Sequence, residues 1–200
     1  MAVTPVGARL RHVVLADLPA SPWRNGGGET REIVCVPAGA DMAEFDWRLS
    51  VATIARTGPF SAFPGVDRVI TLLEGEGVVL RSTDGLIEHA LTAPLVPYAF
   101  SGDVAMDCEL VGACMDFNVM VRRSTTRADV TVQRVAARTA PARAGAFYAA
   151  HGTWTVTGTE GESATLAAGT GAYWLDAEAG WRLHPHSTGA ALLSVRFESV

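Results

Sequence analysis

Two segments of the chain alternate strictly between apolar and polar residues. In residues 45–53, apolar side chains alternate with a polar set that includes Arg48 and Ser50, and residues 114–122 repeat this period with Asp116 and Asn118 on the polar side. Successive side chains of a β-strand point to opposite faces, so the period predicts two strands that each have one polar face. These polar faces must then meet either solvent or the filled interior of a barrel.

The segments between and beside these two also resemble strands. Apolar runs at residues 68–73, 78–81, 86–91 and 104–112 are separated by sequences typical of turns, such as EGEG, TDG and SGD. Many short strands at this spacing indicate a sandwich or a barrel. No stretch of a dozen residues combines a helical period with helix caps. The sequence therefore predicts an all-β fold.

A polar passage, RRSTTRAD at residues 122–129, divides the chain. Strands joined by glycine turns are predicted on both sides of it. We therefore expect two similar β modules in one compact chain, residues 1–125 and residues 126–200.

Composition and charge exclude several classes of function. The 200 residues are 48% hydrophobic and 18% charged, which is typical of a compact globular protein, and no apolar run approaches the length of a membrane span. The first residues include prolines where a signal peptide needs an apolar core, so we expect a cytoplasmic protein. The net charge of −5 without a basic run makes nucleic acid an improbable partner. Every basic residue is arginine, which excludes lysine Schiff-base chemistry and a P-loop lysine.

The three cysteines do not suggest disulfides or zinc. Cys35, Cys108 and Cys114 are odd in number and lack C-x-x-C spacing. We expect them to be buried thiols.

The segment PWRNGGGETREI, residues 22–33, contains three consecutive glycines. Glycine is costly in a regular element and marks positive φ angles or a backbone that something approaches closely. Two interpretations stay open from spacing alone: a strained connection before the strand at residues 31–36, or a loop that closes over a small polar ligand.

Both halves resemble cupin barrels in outline. The segments DRVITLLEGEGVVL with VPYAF, and FYAAHGTWTVTG with GAYWLD, follow the cupin pattern of strands. Where cupins carry metal-binding histidines, this chain has FSAFPG and Pro97 to Phe100, and apolar rings cannot bind iron, manganese or zinc. His184 and His186 have H-x-H spacing, but Pro185 favours an exposed turn over a metal pair. We expect no metal and no other cofactor.

The chain also resembles one specific family. The motifs that carry the resemblance are PWRNGGGETREI, FDWRLSVATI, GPFSAFPGVDRVITLLEGEG, the FSGD after Tyr98, and DFNVMVRR. They are similar to the HutD/Ves family of small bacterial bicupins over about the first 125 residues, whereas the remainder matches only in its general strand pattern. The resemblance implies two cupin barrels, no required metal, a ligand pocket lined by these motifs, and a role in histidine utilization. Cupins commonly pair through sheet edges, so it also implies a homodimer. Lysine is common in the family where this chain has Arg24.

The residues of these motifs define a candidate site. Arg48 and Ser50 share a strand face and, with Arg68, could clamp a small carboxylate. Asp116 and Asn118 would add polar contacts, and aromatic rings would form apolar walls. The alternative for Arg48 and Asp116 is a salt bridge across a filled barrel face. The full set of predicted ligand contacts is Trp23, Asn25, Gly26, Gly27, Gly28, Arg48, Ser50, Phe60, Ser61, Phe63, Arg68, Phe100, Asp116 and Asn118.

Three functions are compatible with this site. The leading hypothesis is a metal-independent protein that binds a small anionic metabolite of histidine breakdown, such as urocanate or formylglutamate, as a sensor or a buffer. The first alternative is a hydrolase or isomerase that uses Asp116 or Glu29 as general base. The second is a structural or protein-interaction module, which predicts an inaccessible barrel. We assign no catalytic residue, because the chain has no G-x-S-x-G motif and no metal centre to activate water.

Overall fold

The computed structural model describes residues 9–200. These residues form seventeen β-strands, one 3-10 turn at Leu15–Asp17 and no α-helix. The strands are β1 (Arg11–Val14), β2 (Ala20–Pro22), β3 (Gly28–Val36), β4 (Trp47–Ile54), β5 (Gly58–Phe60), β6 (Val66–Ser82), β7 (Glu88–Leu91), β8 (Tyr98–Ser101), β9 (Met106–Arg122), β10 (Thr126–Gln133), β11 (Ala137–Arg138), β12 (Ala144–His151), β13 (Thr153–Gly158), β14 (Ser163–Ala167), β15 (Thr170–Trp174), β16 (Trp181–Pro185) and β17 (Ala191–Ser199). The predicted all-β fold is confirmed. In the part of the chain that the structure describes, no helix has the length and apolar character needed to cross a membrane.

The chain divides into two compact units. The first unit is Leu18–Arg127 together with Val200, and the second unit consists of residues 9–17 and 128–199. This differs from the expected modules at the N-terminus, because β1 pairs in antiparallel register with β15. Residues 11–14 are therefore part of the second unit, although the sequence placed them in the first.

The first unit is one eight-stranded sheet. Its strands follow the order β2-β3-β4-β9-β6-β7, with β5 paired to β9 and β8 paired to β6. Its two longest strands, β6 and β9, pair over almost their whole length. The prediction of two shorter strands in place of each of these is wrong.

The EGEG segment explains that error. Gly75 and Gly77 have φ values near +90°, and the register of β6 against β9 shifts on either side of them. An added Cβ at Gly75 would collide with the carbonyl oxygen of Ala113, and one at Gly77 with that of Leu91. The glycines are bulges that bend a continuous strand around its neighbours, and not a turn that ends it.

The second unit has two antiparallel sheets, in the orders β1-β15-β12-β17-β10 and β11-β16-β13-β14. Its core is built around four aromatic side chains. The ring centres of Trp174 and Trp181 are 5.2 Å apart, and those of Phe147 and Trp174 are 5.3 Å apart. Trp154 completes the group and is fully buried. Trp174 Nε1 donates a hydrogen bond of 3.0 Å to the carbonyl of Ala142, which anchors the indole.

Candidate ligand-binding cavity

The polar faces of β4 and β9 lie side by side in the first unit. The antiparallel register places Arg48 opposite Met120, Ser50 opposite Asn118, and Ala52 opposite Asp116. On the other side of β9, Arg68 of β6 lies opposite Met120. Directly opposite residues of paired strands point to the same face, so the polar side chains of three strands share one surface. The predicted two-faced character of these strands is confirmed, and the polar face is largely buried.

This polar face lines a cavity of about 530 Å³. Such a volume falls within the usual range of small-molecule sites, roughly 300–1,000 Å³. The residues around it are Ser21, Pro22, Trp23, Arg24, Asn25, Thr30, Met42, Arg48, Ser50, Ala52, Pro59, Phe60, Ser61, Phe63, Arg68, Asp116, Asn118 and Met120.

Arg68 is a buried cation without an anionic partner among the described residues. Its residue exposure is 6%, and its Nε has no hydrogen-bond partner. The rings of Phe60, Phe63 and Phe100 surround the guanidinium, with centres 5.1–5.4 Å from Cζ. Burial lowers the pKa of Arg68 to about 10, an effect that Asp116 opposes and Arg48 reinforces. The side chain is therefore charged at neutral pH and held by rings that accept no conventional hydrogen bond.

Asp116 and Asn118 provide buried oxygen atoms on the same face. Oδ1 of each residue is buried and has no hydrogen-bond partner. Burial raises the pKa of Asp116 to about 7, and the charge of Arg68 opposes this shift. Asp116 and Arg68 attract each other electrostatically but do not form a direct ion pair. The alternative of a salt bridge between Arg48 and Asp116 is also absent from the described contacts.

Arg48 is bound to a different carboxylate. Its Nε donates a hydrogen bond of 2.7 Å to Oε2 of Glu32, whose side chain is 48% exposed. Its Nη1 lies 3.4 Å from Oγ of Ser50. The expected group of Arg48, Ser50 and Arg68 does converge on the cavity. However, part of the charge of Arg48 is already neutralised by Glu32.

The glycine-rich loop presents side chains, and not its glycines, to the cavity. Trp23 and Asn25 line the wall, whereas Gly26, Gly27 and Gly28 do not. The amide of Gly26 donates to the carbonyl of Trp23, and the amide of Gly27 donates to Oδ1 of Asn25, both at 2.9 Å. The predicted ligand contacts at Gly26, Gly27 and Gly28 are wrong: none of them lines the cavity, and the loop uses the amides of the first two for its own turn.

Trp23 is fixed at the rim by two contacts. Its Nε1 donates a hydrogen bond of 2.8 Å to Oγ1 of Thr30, and its ring meets Phe60 edge-on at 6.0 Å. Trp23 is thereby held as part of the wall.

Most of the predicted contacts surround this cavity, but Phe100 does not line it. Phe100 lies opposite Arg68 on β8 and packs behind its guanidinium. Eight further residues line the cavity and are absent from the predicted set: Ser21, Pro22, Arg24, Thr30, Met42, Ala52, Pro59 and Met120. Ala52 and Met120 could have been found by extending the alternation by two residues along each polar face. Nothing in the local sequence indicated Met42.

No histidine or cysteine residue lines this cavity. Among residues 9–200, no three His, Cys, Asp or Glu side chains are grouped so that they could hold a metal ion. His184 and His186 are exposed on β16 and beside it, and Nε2 of His186 lies 2.7 Å from Oγ1 of Thr155.

The three cysteines are buried free thiols, as expected. Burial raises the pKa of Cys108 to about 12 and that of Cys114 to about 11, so neither is a reactive thiolate at neutral pH.

Comparison with known proteins identifies relatives over nearly the whole chain. The HutD family model matches residues 15–193. Protein Ves from Escherichia fergusonii is 40% identical over 182 residues, which is 90% of each chain. The match thus continues through the second unit, which corrects the expectation that the specific resemblance ends near residue 125.

Solved structures agree with this assignment. A conserved protein of unknown function from Pseudomonas aeruginosa PAO1 is 31% identical, with a TM-score of 0.86, over 96% of this chain and 100% of that one. HutD from Pseudomonas fluorescens SBW25 is 29% identical, with a TM-score of 0.80 and the same coverage. A cupin 2 conserved barrel domain protein from Leptotrichia buccalis, 8% identical with a TM-score of 0.56 over 98% of this chain and 92% of that one, shares the fold alone. The chain therefore belongs to the HutD family, whose members include the Ves proteins, and has the cupin-type all-β fold that its sequence predicts.

Proposed function

We propose that this protein binds a small carboxylate metabolite of histidine utilization, of the urocanate or formylglutamate type, without a metal. In this role it regulates the pathway or sequesters the metabolite. Membership of the HutD family supports the metabolic context. The properties of the cavity support the chemical class of the ligand.

The observation that carries the proposal is that Arg68 is buried and charged but has no ion-pair partner among the described residues. A buried charge without a partner is costly, and proteins rarely leave such groups unpaired. Arg68 lines the cavity, carries its charge at neutral pH, and makes no ion pair with the described residues. A ligand carboxylate would provide the missing partner through charge-assisted hydrogen bonds, each worth about 1.5–3 kcal/mol.

Calorimetry of the purified protein with urocanate and with formylglutamate tests the proposal. We expect saturable heat and a rise in melting temperature for at least one of them. Absence of both effects at millimolar concentration would contradict it.

An enzymatic function has one specific observation in its favour. Asp116 lies in the cavity wall and has its pKa raised to about 7 by burial, which suits a general acid or base at neutral pH. A hydrolase or isomerase acting on the same metabolites is therefore the second candidate. Turnover followed by NMR, and abolished by Asp116→Asn, would place it ahead of the binding role.

A purely structural module is less well supported. That hypothesis predicts an inaccessible barrel, and the first unit instead contains a cavity rimmed by exposed residues such as Arg24 and Met42.

A further inference from the structure

Three unpaired buried polar atoms belong to residues of this one cavity. Six buried side-chain nitrogen or oxygen atoms lack a hydrogen-bond partner among the described residues, and three of them are Nε of Arg68, Oδ1 of Asp116 and Oδ1 of Asn118. All three residues line the cavity. Such atoms are uncommon in folded proteins, and each needs an explanation. Their concentration at one site indicates partners that a ligand would provide.

Residues that lie opposite each other on β6 and β9 form rows across the sheet. Arg68, Asn118 and Asp116 occur in three successive rows of the face that lines the cavity. Arg68 shares the row of Met120, Asn118 lies opposite Ile70, and Asp116 lies opposite Leu72. Leu72 is four residues beyond Arg68 on β6, so the first and last rows are roughly 13 Å apart along the strands, at about 3.3 Å for each residue. The cavity face therefore has a cationic end and an acidic end, with the amide between them.

The chemistry of these atoms specifies what is missing. A guanidinium nitrogen only donates hydrogen bonds, whereas an ionised carboxylate and an amide oxygen only accept them. The ligand must bring an acceptor to Arg68 and at least one donor to the oxygen atoms of Asp116 and Asn118. A plain carboxylate without a donor would satisfy Arg68 but would leave both oxygens unpaired. A simple dicarboxylate likewise has no donor for either oxygen.

We propose that the cavity selects carboxylates that also carry an N–H donor: Arg68 binds the carboxylate, and Asp116 accepts the hydrogen bond from the N–H end. This inference rests on the proposed function and specifies its ligand class. Amino acids acylated on nitrogen and carboxylates with an imidazole N–H belong to this class. Simple dicarboxylic acids and furan or ester analogues do not. A site built to bind a donor group rejects an analogue without it, because its buried acceptors are then left unpaired.

Two matched ligand pairs test this selection at pH 8, above the pKa of Asp116. The first pair is urocanate and 3-(furan-3-yl)acrylate, in which a ring without an N–H replaces the imidazole. The second pair is formylglutamate and the formate ester of 2-hydroxyglutarate, in which oxygen replaces the N–H. We expect calorimetry to give at least about tenfold tighter binding for the N–H member of whichever pair binds.

Variants of Asp116 test whether its carboxylate causes the difference in affinity between the two members of a pair. Asp116→Leu removes the acceptor and should reduce the affinity ratio within the pair to about one, while binding of the furan or ester member persists. Asp116→Asn keeps one carbonyl oxygen and should retain part of the ratio. Denaturation curves establish that both variants are folded, and removal of an unpaired buried carboxylate is not expected to destabilise the protein.

The outcomes separate the two proposals. Equal affinity of both members of a pair for the wild-type protein would overturn the donor requirement and leave the carboxylate-binding function standing. An affinity ratio that Asp116→Leu does not change would overturn the role of Asp116. If no member of either pair binds, the proposed function itself fails, and this inference fails with it.

Discussion

The Cζ atom of Arg68 lies 5.1 Å from the centre of the Phe100 ring, so an aromatic ring and not a carboxylate supports this buried cation. Phe60 and Phe63 add two more rings at 5.4 Å. Each such contact contributes up to about 2 kcal/mol when it is desolvated. The rings offset part of the cost of burial and leave the hydrogen-bond donors of the guanidinium available to a ligand.

Replacement of Arg68 by methionine should abolish carboxylate binding without unfolding the protein. Methionine keeps an unbranched apolar side chain against the three rings but removes every donor, and two lost charge-assisted hydrogen bonds correspond to at least about a 100-fold loss of affinity. Stability should be unchanged or higher, because an unpaired buried charge is removed.

Calorimetry with urocanate and chemical denaturation measure these two effects. Arg68→Lys is the matched control: it keeps the charge but loses the planar fork, so its affinity should be intermediate. Wild-type affinity in Arg68→Met would rule out this residue as the carboxylate anchor.

Arg48 should matter less than Arg68, because Glu32 already occupies its Nε at 2.7 Å. We expect Arg48→Met to weaken binding by tenfold at most. Glu32→Gln should strengthen it roughly two- to fivefold, since the pair is partly exposed and such pairs contribute about 0.2–1 kcal/mol. Calorimetric titrations of the wild type and both variants with the same carboxylate measure these changes in affinity. A larger loss in Arg48→Met than in Arg68→Met would reverse our assignment of the principal cation.

Asp116 should make the protein less stable as pH rises from about 4 to 7. Its pKa in the folded state is raised from 3.8 to about 7, so between these values the folded state holds a proton that the unfolded state has lost. The stabilisation is complete below about pH 4 and is lost as pH rises through 7. The total difference is at most about 4 kcal/mol.

The difference in unfolding free energy between Asp116→Asn and the wild type isolates this effect, because asparagine does not titrate. We expect the variant to gain stability relative to the wild type from pH 4 to pH 7, with a plateau above pH 8. Guanidinium denaturation at each pH gives the measurement. If this difference in unfolding free energy were constant across the pH range, the prediction of a raised pKa for Asp116 would be wrong.

Alanine substitutions at Gly28 and at Gly26, the two ends of the glycine run, should reduce the stability of the protein by different amounts. An added Cβ at Gly28 would collide with the carbonyl oxygen of Thr53, where β3 pairs with β4, and would also meet the Trp23 ring at 3.3 Å. We expect Gly28→Ala to cost about 3 kcal/mol of stability and to displace Trp23.

Gly26 provides the comparison, since it has a φ of +67° and open space around it. Gly26→Ala should cost about 1 kcal/mol, from backbone strain alone. Tryptophan fluorescence and denaturation curves report both effects. Equal costs for the two variants would show that close packing at Gly28 is unimportant.

Some of the strands, but not all of their boundaries, can be predicted from the amino-acid sequence. The alternation in residues 45–53 and 114–122 predicted the polar faces of β4 and β9, because side-chain direction along a strand follows a period of two. The composition of the EGEG segment predicts a turn, but a glycine bulge such as the one in the structure has the same composition. They differ only in whether a partner strand continues past them.

Three features are predictable from the sequence alone: the all-β fold, the family, and the polar groups that three strands direct to one side. These follow from local periodicity and from motifs that are contiguous in the chain. Folding establishes which charges are paired, because ion pairing depends on distances between strands. It placed Glu32 against Arg48, left Arg68 and Asp116 without direct partners, and directed the amides of Gly26 and Gly27 into their own loop. Burial then shifted the pKa of Asp116, which no local pattern encodes.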